Sequence, residues 1–326
     1  MIKLINAVLT VLAGVGAALV MYWVLNKLAD LLPEPWQDRL KPYFYILPAV
    51  AAIGLYLIYP AVQTVIYSFA NSDSTGWVGL DNYTALLSSS GFQKTLVNTL
   101  IWIIVAPLAA VILGLAVAVL VDRLRPAAEK AAKTIIFLPM AISAVGAATV
   151  WKFIYESNPE GQPQIGLQNA IVTALGADPV PWLEKNTLHI NTLLLIIMFL
   201  WSQVGFSMVL MSAAIKGVPT DTLEAARIDG ANERQIFGRV VVPQIMTTVV
   251  TVYITVIIGV MKLFDIVYVM TNGNFDTNVL ATEFYNQLFT NSNTGYAAAI
   301  VVMLMLAILP IMIYQVRQFR ALEASR

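Results

Sequence analysis

The sequence contains no cysteine and only one histidine among its 326 residues. These two shortages exclude a disulfide framework and thiol catalysis, and they leave few side chains for a transition-metal site. Charged residues are also scarce, at 12% of the chain, against roughly 25% in soluble domains. The 19 basic and 19 acidic residues balance, so no basic excess indicates a nucleic-acid partner. The sequence also lacks the G-x-x-x-x-G-K-S/T loop that binds nucleotide phosphates, so we expect no cofactor in this chain.

Apolar residues dominate what is present, with 59% hydrophobic residues and a mean hydropathy of +0.75. An α-helix needs roughly 20 apolar residues to cross a bilayer, whereas a barrel strand needs about ten residues of alternating polarity. The runs here have the length of helices, which satisfy their own backbone hydrogen bonds in lipid. The sequence therefore predicts an all-α polytopic membrane protein. Its seven predicted transmembrane helices cover residues 4–25, 43–67, 95–121, 134–156, 190–215, 245–270 and 296–316.

The distribution of basic residues predicts the orientation of these helices, because cytoplasmic loops retain Lys and Arg. Most of the 19 basic residues lie after the first, third, fifth and seventh helices, and only Lys3, Lys94 and Lys185 lie in the alternate segments. We therefore expect a cytoplasmic C-terminus, an N-terminus outside the cell, and a cytoplasmic loop over 217–243, between the fifth and sixth helices.

The first helix is predicted to form a separate part of the chain. Its apolar core over 4–25 is too long for a signal peptide and lacks a small-x-small cleavage site, so we expect a retained transmembrane helix. Three prolines between residues 33 and 42 disfavour helix in the connector over 26–42. We therefore predict one domain over 1–42, an extra transmembrane helix with its connector, and a second over 43–326.

The loop between the fifth and sixth predicted helices is unusually polar for this chain. Asp221 and Glu224 have the spacing of a capping box and predict a short helix, which Gly230 then ends. Asn232 and Gln235 repeat that spacing and predict a second helix, so we expect a helix-turn-helix hairpin. Such a hairpin can lie on the membrane with its basic residues near anionic lipid, or it can dock into a groove of a cytoplasmic protein. The local physical chemistry is compatible with both uses.

In this hairpin Glu224, Ala225 and Ala226 are followed by Asp229, Gly230 and Ala231, and then by Phe237 and Pro243. This order resembles the EAA signature of permease subunits in bacterial ATP-binding-cassette importers. Four other stretches are similar to the carbohydrate branch of that family, related to the larger maltose-type permease subunit: GLDNYTALL from Gly79, IIFLPMAISAVGAATVWKFIY from Ile135, WSQVGFSMVLMSAAIKGVP from Trp201 and KLFDIVYVMT from Lys262. TNGNFDTN at 271–278 replaces the Gly-Gly-Pro sequence of the wider branch, which favours an alpha-glucoside or glucosylglycerol subgroup. The signature residues are Glu224, Ala225, Ala226, Asp229, Gly230, Ala231, Phe237 and Pro243.

This resemblance implies that the hairpin is a coupling helix, which sits in a cleft of a cytoplasmic ATPase and moves when two ATPase copies close on nucleotide. All eight signature residues are then expected to contribute to ATPase coupling. The resemblance further implies ATP and Mg in the homodimeric ATPase, a second permease subunit and an extracytoplasmic solute-binding protein. The chain, surrounded by membrane lipid, would translocate a di- or oligosaccharide or an alpha-glucoside across a bacterial cytoplasmic membrane by alternating access.

Polar and aromatic side chains within the predicted helices are candidates for a solute path, because they are costly in lipid unless they face the bundle interior. The serine among them can instead bond the backbone of its own helix. The tyrosines can instead pack with their hydroxyl groups at an interface. These candidates are Asn98, Ser202, Gln203, Tyr253 and Tyr268.

An ion-coupled secondary sugar transporter is the alternative function. Such a carrier often places carboxylates within the membrane, and Asp265 is the only clear one in the predicted helices. Asp265 follows Lys262 by three residues, which predicts a neutralising ion pair on one helix face. The sequence therefore favours the importer over the ion-coupled carrier.

Overall fold

The computed structural model describes residues 2–159 and 161–324, and most of them are helical. Within these two ranges no β-strand occurs, and the strand-like pairing is limited to an isolated bridge between Ala70 and Trp77. The predicted all-α architecture is therefore confirmed. The chain separates into two compact units between Ile66 and Tyr67, whereas the sequence predicted a domain boundary after residue 42.

The first unit is built from two long helical segments. The connector that the sequence predicted over 26–42 is almost entirely helical, because the first helix runs on to Asp30 and the second continues through Pro42 and Pro48. Tyr45 donates a 2.8 Å hydrogen bond to Asn26, which joins the two segments. The elements up to Tyr67 are α1 (Ile2–Asp30), α2 (Glu34–Ile53), a π-helical turn (Gly54–Ile58) and α3 (Tyr59–Tyr67).

The second unit is a helical bundle whose elements alternate between long helices and short connecting helices. The helices are α4 (Asp81–Ser88), α5 (Ser90–Val121), α6 (Pro126–Phe137), α7 (Ala144–Ile154), α8 (Leu167–Ala174), α9 (Ile190–Lys216), α10 (Thr220–Ile228), α11 (Glu233–Ile236), α12 (Val242–Met261), α13 (Asp265–Thr271), α14 (Leu280–Tyr285) and α15 (Thr294–Ala324). Short 3-10 or π turns cover Leu138–Ala141, Thr187–His189, Phe237–Val241 and Asn286–Thr290.

The long helices α5, α9 and α12 form the centre of this bundle. Gly114 of α5 allows α9 to approach closely, since a Cβ at Gly114 would lie only 2.4 Å from the Cβ of Ser207. Trp102 of α5 and Phe199 of α9 pack edge to face, with 5.8 Å between their ring centroids. Small residues at helix interfaces give membrane helices the close van der Waals contact that stabilises them in lipid.

The predicted fourth transmembrane helix, over 134–156, is broken. α6 ends in a 3-10 turn that contains Pro139, and α7 continues at 99° to it. Ser143 caps α7, because its hydroxyl oxygen accepts a 3.2 Å hydrogen bond from the Gly146 N–H. The proline and the new cap explain the break in an otherwise apolar stretch.

The part of the chain that the structure describes contains six helices long and apolar enough to cross a membrane, and the α6–α7 pair would make a seventh span. The sixth predicted helix, over 245–270, also ends early, because α12 stops at Met261. Lys262 and Asp265 flank the break that follows, and no ion pair joins them within residues 2–159 and 161–324. The predicted neutralising pair is therefore wrong.

Candidate functional site

α10, the first arm of the hairpin, starts directly after Pro219. Pro219 occupies the cap position with φ −58° and ψ 132°, and no side chain caps the helix. The capping box predicted for Asp221 and Glu224 is therefore wrong, since Asp221 falls inside the first turn. In the first turn the Asp221 carboxylate lies near the positive end of the helix dipole, which stabilises its negative charge. Both acidic side chains are exposed.

Gly230 closes the first arm in a turn that needs a left-handed backbone, with φ +80°. The Gly230 N–H donates to the carbonyl of Arg227 at 3.0 Å, and the Ala231 N–H donates to the carbonyl of Ala226 at 3.1 Å. This pair of bonds is a Schellman motif, which satisfies carbonyl groups at a helix C-terminus. A Cβ at Gly230 would meet no atom within 4 Å, so backbone conformation rather than crowding favours glycine here.

The second arm begins with the capping box that the sequence predicted. The Asn232 side-chain oxygen accepts from the Gln235 N–H at 3.0 Å, and the Gln235 side-chain oxygen accepts from the Asn232 N–H at 2.9 Å. Across the turn, Arg227 pairs with Glu233 at 3.0 Å. An exposed ion pair contributes little stability alone, but together with the two backbone motifs it restricts how the hairpin can bend.

One face of the hairpin packs against the adjoining ends of α9 and α12. Ile236 is buried in an apolar cluster with Val218 and Ile245. Leu223 and Phe237 are partly buried against this cluster, so both arms contribute to it. Removal of this apolar surface from water holds the hairpin on the bundle. Phe237 thus packs against the chain's own core, where it can anchor the second arm of the hairpin. Its predicted contribution to ATPase coupling stays a prediction.

The opposite face of the hairpin is exposed and combines acidic and apolar groups. Ile228 is 86% exposed and follows Glu224 by four residues, which places both on one helix face. Sequence reasoning did not select Ile228 as a site residue, although this spacing was a usable signal. Of the predicted coupling residues, Glu224, Ala225, Asp229, Gly230 and Pro243 are exposed, whereas Ala226, Ala231 and Phe237 are partly buried.

A network of four charged side chains braces the bundle where the hairpin begins. Lys133 lies 2.7 Å from Asp122 and 2.6 Å from Glu129. Lys216, the last residue of α9, also pairs with Glu129, and Ser212 donates a 2.7 Å hydrogen bond to Asp122. The network therefore joins the C-terminal ends of α5 and α9 to α6. Sequence reasoning missed it, because only the packing of distant helices brings Asp122, Ser212 and Lys216 to the local Glu129–Lys133 pair.

Asn98, the first of the candidates for a solute path, is fully buried. Its amide nitrogen donates to the carbonyls of Thr277 at 2.7 Å and Asn278 at 2.9 Å. Its amide oxygen accepts from the hydroxyl of Thr192 at 2.6 Å. Asn98 therefore fixes the segment around Thr277 to α5 and α9. Its predicted position on a solute path stays a prediction.

The other path candidates lie in different environments. Ser202 donates to a backbone carbonyl of its own helix at 2.7 Å, which is the alternative that the sequence allowed. Gln203 and Tyr253 are half-buried. Tyr268 is 38% exposed and lines a cleft at the far end of the bundle from the hairpin.

Comparison with known families and relatives gives consistent matches. The protein-family model described as the inner membrane component of binding-protein-dependent transport systems matches residues 110–323. The alpha-glucoside transport system permease protein AglF of Rhizobium meliloti is 41% identical over 330 residues, covering 97% of this chain and 97% of that protein. The osmoprotective compounds uptake permease protein GgtC of Synechocystis is 46% identical over 282 residues, covering 86% of this chain and 100% of that protein.

Two solved structures share the fold. One is a bacterial ABC transporter involved in the import of the acidic polysaccharide alginate, with a TM-score of 0.75 and 21% identity over 88% of this chain and 99% of that chain. The other is a bacterial alginate ABC transporter in complex with an alginate pentasaccharide-bound periplasmic protein, with a TM-score of 0.72 and 22% identity over 86% of this chain and 94% of that chain. At these identities the likeness shows the architecture of the bundle.

Proposed function

The chain belongs to the binding-protein-dependent family of ABC importer permease subunits, and we propose that its solute is an alpha-glucoside or a similar small sugar. The observation that carries this proposal is the 41% identity to an alpha-glucoside permease over 97% of both chains. A relative named for the uptake of osmoprotective compounds is 46% identical over 86% of this chain. Both relatives support a small polar solute rather than a peptide or a lipid.

We assign ATPase coupling to the exposed face of the hairpin. Glu224 and Asp229 provide acceptors for basic or amide groups of a partner cleft, and Ile228 provides an apolar anchor between them. Exposed apolar side chains beside charged ones are typical of surfaces that bind another protein. Ala225 and Gly230 leave space for close approach, because neither projects beyond a methyl group.

The inner face of the hairpin explains how a partner's motion would reach the membrane helices. The hairpin is held by the Schellman turn, the capping box and the apolar cluster around Ile236. It continues into α12 and follows α9 after only three residues. A displacement of its exposed face is therefore transmitted to these two helices rather than absorbed by a loose loop.

The partners follow from this assignment. We infer a cytoplasmic homodimeric ATPase that binds ATP and Mg and contacts the hairpin, together with a second permease subunit that completes the path. An extracytoplasmic solute-binding protein would deliver the sugar at the opposite end of the bundle. The resulting complex would sit in a bacterial cytoplasmic membrane, with the C-terminus of this chain on the cytoplasmic side.

Reconstitution tests the proposal directly. The chain, purified from its native membranes with its bound subunits, is placed in liposomes with its binding protein, and uptake of radiolabelled maltose, sucrose and methyl alpha-glucoside is measured with and without ATP. We expect ATP-dependent uptake of at least one of these alpha-glucosides and none of lactose, a beta-galactoside. Uptake by the isolated chain driven by an ion gradient would instead establish the secondary carrier. ATP-dependent uptake that excludes all three alpha-glucosides would refute the proposed solute.

A further inference from the structure

A polar cleft of about 400 Å³ opens at the end of the bundle opposite the hairpin. Its walls are formed by residues 152–157, residues 181–184 and residues 268–275. The second of these segments precedes α9 and the hairpin follows α9, so a helix of 27 residues separates them. At 1.5 Å per residue that helix is about 40 Å long, which exceeds the hydrocarbon thickness of a bilayer. The cleft and the hairpin thus lie at opposite membrane faces.

Buried hydrogen bonds fix the walls of this cleft. Asn169 is fully buried, and its side-chain oxygen accepts from the Trp182 indole at 2.8 Å and from the Val180 N–H at 3.0 Å. The Tyr155 hydroxyl donates to the carbonyl of Leu194 at 3.2 Å. A cleft whose walls are held in this way is preorganised, so a ligand would not have to order it on binding.

The third wall is formed by the end of α13 and the loop that follows it, and this loop contains several residues with positive φ. Asn272 ends α13 with φ 53°, and Asp276 beyond the wall has φ 58°, a left-handed conformation that Asn and Asp tolerate. Phe275, which lines the cleft, has φ 57°, which is rare for a bulky residue. Asn191 donates to the Phe275 carbonyl at 2.8 Å, and Lys94 pairs with Asp276 at 3.0 Å. Backbone strain of this kind persists where surrounding contacts enforce it, and it concentrates at functional positions.

Several polar side chains that line the cleft have no bonding partner among the residues that the structure describes. Within the described part of the chain, the side chains of Lys152, Glu184 and Asn274 make no hydrogen bond and no ion pair. The rings of Trp182 and Tyr268 lie in the same lining. Unpaired donors and acceptors next to aromatic rings can bind a molecule that has hydroxyl groups on its edge and C–H groups on its face.

We propose that this cleft is a binding subsite for a neutral saccharide at the extracytoplasmic mouth of the path, an inference that rests on the proposed sugar-import function. Its volume falls within the range of small-molecule sites, about 300–1,000 Å³. Two carboxylates, Glu156 and Glu184, line the cleft against one ammonium group, Lys152, so a negatively charged solute is disfavoured. The hydroxyl groups of a sugar can bond both the amide and the carboxylate groups, while Trp182 and Tyr268 contact its apolar face.

Direct binding to the full chain tests this subsite. The wild-type protein in lipid nanodiscs, free of sugar-based detergent, is titrated with maltose by saturation-transfer NMR. We expect weak saturable binding, reduced at least fivefold in Glu184→Gln, Asn274→Ala and Tyr268→Leu. Asp178→Asn is the matched control, because Asp178 is an exposed carboxylate of the same loop that does not line the cleft. The control should bind maltose as the wild type does.

Absence of saturable binding to the wild type, or equal binding by the three variants and the control, would overturn the subsite. The uptake assay separates this failure from failure of the proposed function. If ATP-dependent sugar uptake occurs with a KM that the cleft variants leave unchanged, only the subsite is wrong. If maltose binds in the cleft but no ATP-dependent sugar uptake occurs, only the proposed function is wrong. Under the full proposal the cleft variants raise KM more than they lower kcat.

Discussion

Replacement of Gly230 by valine is the most direct test of the coupling hairpin. Gly230 has φ +80°, a conformation in which a Cβ-bearing residue is destabilised by about 1–2 kcal/mol. Valine is β-branched and therefore fits this region less well than alanine. A turn that relaxed to a negative φ would lose the Schellman bonds to the carbonyls of Arg227 and Ala226.

The size of this strain predicts a local defect. A free-energy change of about 2 kcal/mol shifts a two-state ratio by roughly 30-fold, while a folded domain is stabilised by about 5–15 kcal/mol in total. Gly230→Val should thus leave the helices folded and inserted but shift the turn away from its native form. Ile228 and Asp229 adjoin the turn on the exposed face, so their positions relative to a partner would change with it.

The assay compares membrane abundance, co-purification of the ATPase and ATP-dependent sugar uptake for Gly230→Val and Gly238→Val. Gly238 is the matched control, because a Cβ there also meets no atom within 4 Å but the backbone is helical. We expect normal abundance for both variants, at least tenfold less uptake for Gly230→Val, and near-normal uptake for Gly238→Val. Normal transport by Gly230→Val, or equal loss in both variants, would refute the reasoning.

Three further predictions concern stability and are measured by denaturant titration of the full chain in lipid nanodiscs. Gly114→Ala should lower the free energy of unfolding by about 1–3 kcal/mol, because its Cβ would overlap α9. Gly259→Ala, whose Cβ meets no neighbour within 4 Å, should raise it by up to about 1 kcal/mol, because alanine is the better helix former in α12. Asn98→Ala should cost about 3 kcal/mol, since two buried carbonyls lose their donor; an effect below about 1 kcal/mol would contradict that packing role. Lys133→Met should destabilise the chain by about 2 kcal/mol, because two half-buried carboxylates lose their shared partner. Lys216→Met should cost less than about 1 kcal/mol, because Lys216 is half exposed, and a larger loss there than for Lys133 would contradict the network's geometry.

Local sequence chemistry predicted the hairpin well where the relevant contacts are a few residues apart. The turn at Gly230 and the capping box of Asn232 with Gln235 both depend on neighbours within five residues. The first arm shows the limit of the same reasoning. Asp221 and Glu224 have the spacing of a capping box, but Pro219 takes the cap position and moves Asp221 into the helix. Spacing alone does not determine which residue caps a helix.

Hydrophobicity predicted seven apolar segments but not their continuity. In the part of the chain that the structure describes, six are long helices and the fourth is a bent pair. The average hydrophobicity of a segment measures whether its residues tolerate lipid. It carries no information about the direction of the helix axis. The break in the fourth span lies at Pro139 and at Ser143, which caps α7. Both residues are small or apolar, so neither lowers the hydrophobicity of the segment enough to mark the break. The break after Met261 has no proline to mark it.

The contacts that the sequence could not predict are those between distant residues. Asn98 lies 179 residues from Thr277 and 94 residues from Thr192. From the sequence, a polar residue in an apolar helix is equally compatible with a place on the solute path and with a packing role. The residues to which it is hydrogen-bonded in the fold are the evidence for packing. The charged network is a second case, since Ser212 bonds Asp122 across 90 residues.

The topology connects the two proposed sites through a single continuous helix. Asn191, in the first turn of α9, bonds the Phe275 carbonyl in the wall of the cleft, and Lys216, at the other end of α9, pairs with Glu129 where the hairpin begins. α12 also starts at the hairpin, but it ends at Met261, before the segment that lines the cleft. A rigid displacement of the hairpin would therefore reach the cleft wall directly through α9. A displacement transmitted through α12 would have to cross the break before α13, where rotation of the backbone can absorb the motion.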